Sequence, residues 1–477
     1  MKNATLRIVC FLALLATVLY YVNSVFAFKD GDGIYSYKKF YELENNTVDV
    51  LVLGSSHAFE SVNTGMLWQE HGISSFILGG SIQPIYNAYY ALKETLKTQS
   101  PSLIILEAYT LTKTEEYSDD IRIIKNTYGM KWSRNKIDAI KTSAPKERWL
   151  EFMFGYIQYH TRYTSLSKAD FVKNQGNPLF ENWKGFGCNM ATNAFDKPNV
   201  QNVTDRLMLS EKQEEYYRKI IELAIESQIP LLVMVSPYAG ISEEEQARYN
   251  TVSDIAGSYN VNFINYNLLY DEIGLDFSSD AADVSHLNYK GNQKFTHALG
   301  EYITDHYDIP DRRGDAKYAS WEADSQYISA SIKNQQLLEA NNLSDIIYHL
   351  MDQEYELFVS TDGYGNTADD RMAPLFNALG IPRDKGSEIW HVNTKHGVLY
   401  ASGAEAAQET MRLGSYQVCL SRSLDESSQN YLNSVIIDNT KLQTVSNGIN
   451  ITVYNPLTQN IVCSFGFDMS NQYNLVR

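Results

Sequence analysis

Short runs of branched apolar residues alternate with longer amphipathic segments between residues 48 and 307. The apolar runs have the composition of buried parallel strands; they cover 48–53, 75–77, 102–106, 230–235 and 261–264. The segments between them have helical spacing, and two open with a Ser-x-x-Gln or Ser-x-x-Glu capping signal; they cover 85–98, 210–228, 242–258 and 289–307. This alternation predicts an α/β fold with a doubly wound, mainly parallel sheet.

The pattern also divides the chain, whose 477 residues fit two or three domains. Residues 31–310 form the predicted α/β domain, with an insertion at 112–209 that breaks the alternation. A polar stretch with Pro and Gly at 311–325 predicts a linker. Residues 326–477 combine a helical segment with strand-like runs and predict a smaller α+β domain.

The first 30 residues have the form of an exported segment. Lys2 and Arg7 precede an apolar stretch that is long enough to span a bilayer. We expect a single retained anchor with extracytoplasmic domains, oriented by its basic residues. The alternative is secretion, because Val25-x-Ala27 also has the form of a signal peptidase site.

Net charge and cysteine content exclude some classes of function. The formal charge of -17 argues against nucleic acid as a partner, since phosphates bind basic surfaces. Four cysteines are too few and too unevenly spaced for a disulfide scaffold or a zinc site, so we expect no metal and no cofactor. Cys419 and Cys463 either pair with each other or remain free thiols.

Two motifs carry candidate chemistry. Gly54-Ser55-Ser56-His57 follows the first strand, and ligands of open α/β sheets bind beyond the strand ends. Asp283-Val284-Ser285-His286-Leu287-Asn288 precedes the last helix of the domain. A serine nucleophile needs a base and a group that orients the base. Ser56, His286 and Asp283 can fill these three roles.

These motifs resemble the Gly-Asp-Ser and Asp-x-x-His blocks of the SGNH (GDSL-type) hydrolases. The resemblance covers about residues 45 to 307 and implies that Ser56 is the nucleophile, His286 the general base and Asp283 its orienting group. Ser55 stands where the family has Asp. That change is common in branches that resemble the D-alanyl-transfer and polysaccharide O-acetylation proteins.

The family's third block departs further, because Leu106-Glu107-Ala108-Tyr109-Thr110 lacks the Asn that serves as an oxyanion donor. Backbone amides must then hold the oxyanion. The Ser56 amide is one candidate. Gly80 and Ser81, in a glycine-containing segment that resembles the second block, are the others.

Three further residues are candidate substrate contacts. Tyr109 follows the third strand, and His160 and Arg162 lie in the insertion, where substrate loops of α/β folds usually lie. The alternative for His160 and Arg162 is a polar staple within the insertion.

The C-terminal domain resembles, in a permuted order, the interleukin-like epithelial–mesenchymal transition inducer domain. The similar segments are 357–360, 375–380, 448–454 and 461–468. The resemblance implies a carbohydrate-binding accessory, and a structural appendage is the alternative.

Together these features predict an extracytoplasmic serine acyltransferase or esterase acting on O-acyl groups, most simply acetyl, of a cell-envelope polysaccharide. The expected partners are that polymer, the membrane and a multi-spanning membrane acyltransferase. Small-ester or lipid-ester hydrolysis is the alternative within enzymes. A non-catalytic glycan-binding envelope protein is the alternative outside them.

Overall fold

The computed structural model describes residues 2–29, 31–171, 182–363, 368–383, 388–403, 405–426 and 430–477. Part of the predicted insertion, residues 172–181, and the first residue of a predicted strand, Ser387, lie outside the described residues. The chain forms two compact units, Met1–Gln326 and Tyr327–Arg477.

The first unit is built on a five-stranded parallel sheet in the order β2-β1-β3-β4-β5. Its strands are β1 (Val50–Gly54), β2 (Ser75–Gly79), β3 (Leu103–Glu107), β4 (Leu231–Val235) and β5 (Asn262–Asn265). The first four are buried along their whole length, which explains their continuous apolar runs. The predicted α/β fold with a parallel sheet is confirmed, and the order is the flavodoxin-like one.

The helices up to Glu339 comprise the largely exposed N-terminal α1, helices that flank the sheet and helices of the insertion. They are α1 (Lys2–Phe26), α2 (Asp32–Phe40), α3 (Ser56–Phe59), α4 (Thr64–His71), α5 (Ile85–Thr95), α6 (Asp120–Thr127), α7 (Arg134–Ser143), α8 (Trp149–Met153), α9 (Gly155–Tyr159), α10 (Glu211–Glu226), α11 (Glu243–Ser258), α12 (Tyr289–His306) and α13 (Ala319–Glu339). Ser242 and Glu245 form the predicted capping box of α11. At α10 the Ser210 side chain accepts from the Gln213 amide.

Residues 311–325 differ from the linker that their polar composition predicts. A 3-10 turn at Ala316–Tyr318 leads directly into α13. Tyr318 and Trp321 are buried in the core of the first unit, and the Trp321 indole N–H donates to the Ser75 carbonyl at 2.9 Å. The guanidinium of Arg312 binds the Asp49 carboxylate through two 2.8 Å bonds. The rings of Tyr318 and Trp321 pack onto the sheet domain. The polar residues that precede them therefore lie along the same domain.

The second unit has the predicted α+β composition. After α13 come α14 (Leu343–Asp352) and α15 (Ala373–Ala378). A six-stranded antiparallel sheet has the order β15-β14-β13-β6-β7-β8, and a four-stranded one the order β12-β11-β10-β9. The strands are β6 (Glu356–Asp362), β7 (Ile389–Asn393), β8 (Gly397–Ala401), β9 (Ala407–Leu413), β10 (Tyr416–Asp425), β11 (Asn430–Ile437), β12 (Thr440–Lys441), β13 (Gly448–Asn455), β14 (Asn460–Asp468) and β15 (Asn474–Val476). Cys419 and Cys463 lie in different sheets as free thiols.

Candidate active site

Ser56 lies at the carboxyl end of β1, beside β3, where the strand order of the sheet reverses. It is the first residue of α3, and the Ser55 hydroxyl accepts from the His57 amide at 3.4 Å as the helix cap. The turn requires glycine before it: a Cβ on Gly54 would lie 2.7 Å from the Cβ of Glu107 and 2.9 Å from that of Ala58. Close packing of β1, β3 and α3 therefore fixes the position of Ser56.

A tight turn before α12 carries the other two residues. The Asp283 carboxylate accepts from the amides of Ser285 at 2.8 Å and His286 at 3.0 Å. It also lies 2.9 Å from Nδ1 of the His286 ring. Partial burial alone would raise the pKa of Asp283, but the bonds from His286 and Ser285 outweigh it and hold that pKa below its usual value.

The turn that carries Asp283 and His286 meets α3 through a hydrogen bond to Ser56. Nε2 of His286 is 2.8 Å from Oγ of Ser56. Since the Asp283 carboxylate only accepts, Nδ1 carries the ring proton and Nε2 accepts from the Ser56 hydroxyl. Ser56 and His286 are 230 positions apart in sequence, and with Asp283 they form a chain of hydrogen bonds that can take a proton from Ser56. Ser56 is only 7% exposed, whereas the side chains of His286 and Asp283 are 20% and 47% exposed.

His57 and Tyr109 pack against each other next to Ser56. Their rings stack with centroids 3.5 Å apart, and Tyr238 meets His57 edge-on at 4.8 Å. Burial lowers the pKa of His57 well below its usual value, and the charges of His286 and Lys113 lower it further. A neutral His57 therefore supports Ser56 by packing. Tyr109, a candidate substrate contact, lies against this residue.

Gly80 and Ser81 follow β2, next to the Ser56 turn, because Gly54 of β1 pairs with Gly79 of β2. Gly80 is closely surrounded, and a Cβ there would lie 2.8 Å from Oδ1 of Asn126. The Ser81 hydroxyl bonds the Asp32 carboxylate and lies 3.3 Å from Nζ of Lys125. Its side chain is therefore bound to residues of α2 and α6.

The structure places His160 and Arg162 near the C-terminal end of α1. Arg162 pairs with Asp170 at 2.6 Å and donates to the Phe26 carbonyl at 3.1 Å. Nδ1 of His160 lies 2.8 Å from the Ile157 carbonyl. In the part of the chain that the structure describes, neither residue has a polar contact with Ser56, His286 or Asp283.

A different part of the insertion reaches the site. The Gly187 amide donates to the Phe59 carbonyl at 2.8 Å, and the Tyr289 amide to the Asn189 carbonyl at 3.1 Å. Residues 187–193 therefore run between α3 and the start of α12. Predicting a substrate-side insertion was possible from the sequence, but nothing in its composition distinguished this segment.

Glu60 is a functional candidate that the sequence did not reveal. Burial raises the pKa of Glu60 to about 7. The charge of His286 and a hydrogen bond with Asn189 act against this rise, and the charge of Asp283 adds to it. Glu60 is the C-cap residue that ends α3, and only its place four residues after Ser56 could have drawn attention to it.

Glu107 stands at the end of β3, in the position of the predicted third block. It is fully buried, and burial raises its pKa to about 8, although bonds from the amides of Ser236 and Tyr109 oppose the rise. The Tyr109 amide lies 3.1 Å from Oε1. Glu107 thus holds the loop after β3 in place and is protonated at neutral pH.

Among the described residues, several clefts are lined in part by the insertion. A polar one of about 540 Å³ is lined by Tyr117, Lys141, Lys212 and Tyr216 among others. A narrower one includes Ile82 and Lys113. Neither of these two clefts is lined by Ser56, His286 or Asp283.

Comparison with known proteins adds little to this geometry. No known protein family matches the sequence, and no curated protein does. A search of solved structures returns a Bacteroides fragilis NCTC 9343 protein described as a "putative acylhydrolase". It is 10% identical, with a TM-score of 0.27, over 56% of this chain and 93% of that one.

Proposed function

We propose that this protein is an extracytoplasmic serine acyltransferase or esterase that acts on O-acyl groups of a cell-envelope polysaccharide. The observation that carries the proposal is the chain of hydrogen bonds from Ser56 through His286 to Asp283, at the ligand-binding edge of the sheet. Three separate side chains in this arrangement are what a serine nucleophile requires.

The reaction begins when Oγ of Ser56 attacks the acyl carbonyl and its proton passes to Nε2 of His286. The Ser56 amide, which has no partner within α3, and the Gly80 amide would hold the oxyanion. Collapse of the intermediate breaks the ester bond, and His286 returns the proton to the leaving oxygen. A sugar hydroxyl or water then attacks the acyl group on Ser56 and gives its proton to His286, and His286 passes that proton to Oγ as the bond between Oγ and the acyl carbon breaks.

The location that we propose is the outer face of a membrane, with α1 retained as an anchor. Residues Ala4–Phe26 of α1 are long and apolar enough to cross a bilayer. The residues around the alternative cleavage site belong to the fold: Val25 is 5% exposed and Oδ1 of Asn23 accepts from the Tyr156 amide at 3.3 Å. Cleavage after Ala27 would remove these contacts, which supports retention over secretion.

Two features favour a polymer acceptor and a membrane partner. An anchored enzyme reaches only substrates near the membrane, such as envelope glycans, and acyl groups made inside the cell need a multi-spanning acyltransferase to reach it. The second unit would serve as a carbohydrate-binding accessory.

The test is the intact mass of the full chain in detergent after incubation with p-nitrophenyl acetate, with Ser56→Ala as the matched control. We expect an acetyl adduct on the wild-type chain and none on the variant. Nitrophenol release that stops after one equivalent would favour transfer, and continued release would favour hydrolysis of small esters. Equal background release by both proteins with no adduct would contradict the proposal.

The second candidate function is glycan binding without catalysis, and the low exposure of Ser56 favours it. An acyl carbonyl could reach Oγ only after a small movement of the surrounding residues. The same experiment decides between the two functions, because a binding protein would form no acetyl–serine.

A further inference from the structure

Part of the insertion surrounds the outer end of α1. The α9 residue Gly155 lies against Ala27, since a Cβ on Gly155 would be 3.3 Å from the Ala27 Cα. Arg162 donates to the Phe26 carbonyl at 3.1 Å. The ammonium of Lys29 bonds the Asp170 carbonyl. These contacts join residues 149–171 to the C-terminal end of α1 and the residues just after it. We name residues 149–171 the collar.

The length of the exposed part of α1 determines the position of the collar relative to the bilayer. Residues Ala4 through Tyr21 are exposed on all sides, and packing begins at Val22. At 1.5 Å per residue the exposed helix is about 27 Å long, close to the roughly 30 Å hydrocarbon thickness of a bilayer. With this stretch across the bilayer, residues 22–29 and the collar lie at the level of the outer headgroups.

Side chains of the collar region suit that level. Leu150 is 62% exposed, Tyr163 70% and Phe171 56%. Trp132, 46% exposed, is connected to the collar through the ring of Phe154, with centroids 5.9 Å apart. Aromatic residues are enriched at the membrane interface because their rings are amphipathic.

The charge of the region also differs from that of the whole chain. Residues 120–171 contain ten Lys and Arg against five Asp and Glu, whereas the chain as a whole has a formal charge of -17. Cations near a membrane surface are attracted to anionic headgroups. Eight of the ten Lys and Arg lie in 120–148, and the collar itself has two basic and two acidic residues, so the excess of positive charge lies in the segment that precedes the collar.

We propose that the collar, together with Trp132, is a membrane-interface surface that inserts among the outer headgroups of the bilayer spanned by α1. The occupant of this exposed apolar face is lipid. The surface would hold the sheet domain at a fixed height above the membrane. This inference rests on the proposed retention of the anchor and is independent of the chemistry at Ser56.

The test uses the full chain in phosphatidylglycerol-containing vesicles, with lipids brominated near the headgroup end of their acyl chains as tryptophan quenchers. The test variants, Tyr163→Trp and Phe171→Trp, are built on Trp132→Phe, which removes the exposed native indole. The matched control on the same background is Ile225→Trp, because Ile225 of α10 is 53% exposed. The difference in quenching between wild type and Trp132→Phe measures the exposure of the native Trp132 to lipid without an added tryptophan.

We expect the added tryptophan at 163 or 171 to be quenched at least about twofold more than that at 225, as for interfacial aromatic residues. The wild-type chain should lose more fluorescence than Trp132→Phe. Equal quenching at all three positions, in chains that stay with the vesicles after an alkaline wash, would overturn the collar and leave the anchor standing. Loss of the chain in that wash would overturn both.

Discussion

At the scale of single residues, the site depends on how each carboxyl group is held. Asp283 has a depressed pKa, because the His286 ring and two backbone amides bind it, and it stays charged to orient the ring. Glu60 and Glu107 have raised pKa values, because the effect of burial exceeds that of the groups that oppose it. Three acidic residues near one serine therefore have different charge states at neutral pH.

The first prediction concerns Asp283. Replacing Asp283 with Asn should slow acetylation of Ser56 by roughly 10²–10⁴-fold, because the amide can stabilise the wrong ring tautomer and no longer balances the imidazolium. The rate of adduct formation by intact mass measures this. Asp276→Asn is the matched control, since the Asp276 carboxylate binds the Ser278 amide at 2.9 Å and the Ser278 side chain instead of a histidine ring. Similar rates for both variants would show that Asp283 does not orient the base.

The second prediction concerns Glu60. Above its pKa of about 7 the ionised carboxylate should favour the imidazolium that forms on His286. The ratio of wild-type to Glu60→Gln acylation rates should be near unity below this pH and rise a few-fold above it. Stopped-time adduct measurements across the range give the ratio. A ratio independent of pH would mean that Glu60 has no electrostatic effect on the base.

The third prediction concerns the stability contribution of Glu107. Its folded-state pKa of about 8 lies above the ordinary value of 4.5. Between these values the folded chain keeps a proton that the unfolded chain releases, so stability falls as pH rises through the window. The slope is about 1 kcal/mol per pH unit, and Glu107→Gln should remove it. Denaturant midpoints at both ends of the window, for both proteins, measure the effect; parallel pH dependences would contradict it.

At the scale of elements, the close approach of β1, β2 and β3 determines the position of the turn that carries Ser56. A Cβ on Gly79 would lie 2.0 Å from the Gly54 carbonyl oxygen, so Gly79→Ala must push the two strands apart. We expect a loss of about 1–3 kcal/mol in unfolding free energy, together with loss of acylation. Gly257→Ala is the control, and its expected effect on the unfolding free energy has the opposite sign. Gly257 lies in α11, and no atom lies within 4 Å of the added Cβ.

The Gly257→Ala variant should gain about 0.5–1 kcal/mol, because alanine is the better helix former. Denaturant unfolding and adduct formation are measured on both variants. A Gly79→Ala chain with unchanged stability and acylation would show that the sheet can widen there at no cost.

At the scale of the whole molecule, the anchor and the α/β unit are folded together. Because Asn23 and Phe26 contact the insertion and Val25 is buried, we expect the protein isolated from membranes to keep its N-terminal segment. Intact mass and peptides that cover residues 22–29 measure this. A mature chain that begins after Ala27 would contradict retention and favour secretion.

The sequence by itself determined the parallel sheet, the order of its elements and the two motifs, because burial of a strand and capping of a helix leave local patterns. Ser56, Asp283 and His286 could be named because each lies in a short motif next to an element boundary. Only the tertiary structure decided that residues 311–325 pack onto the sheet, that His160 and Arg162 lie near the C-terminal end of α1, and that Glu60 lies near His286. These outcomes depend on contacts between residues distant in sequence, for which a local pattern of apolar and polar positions carries no signal.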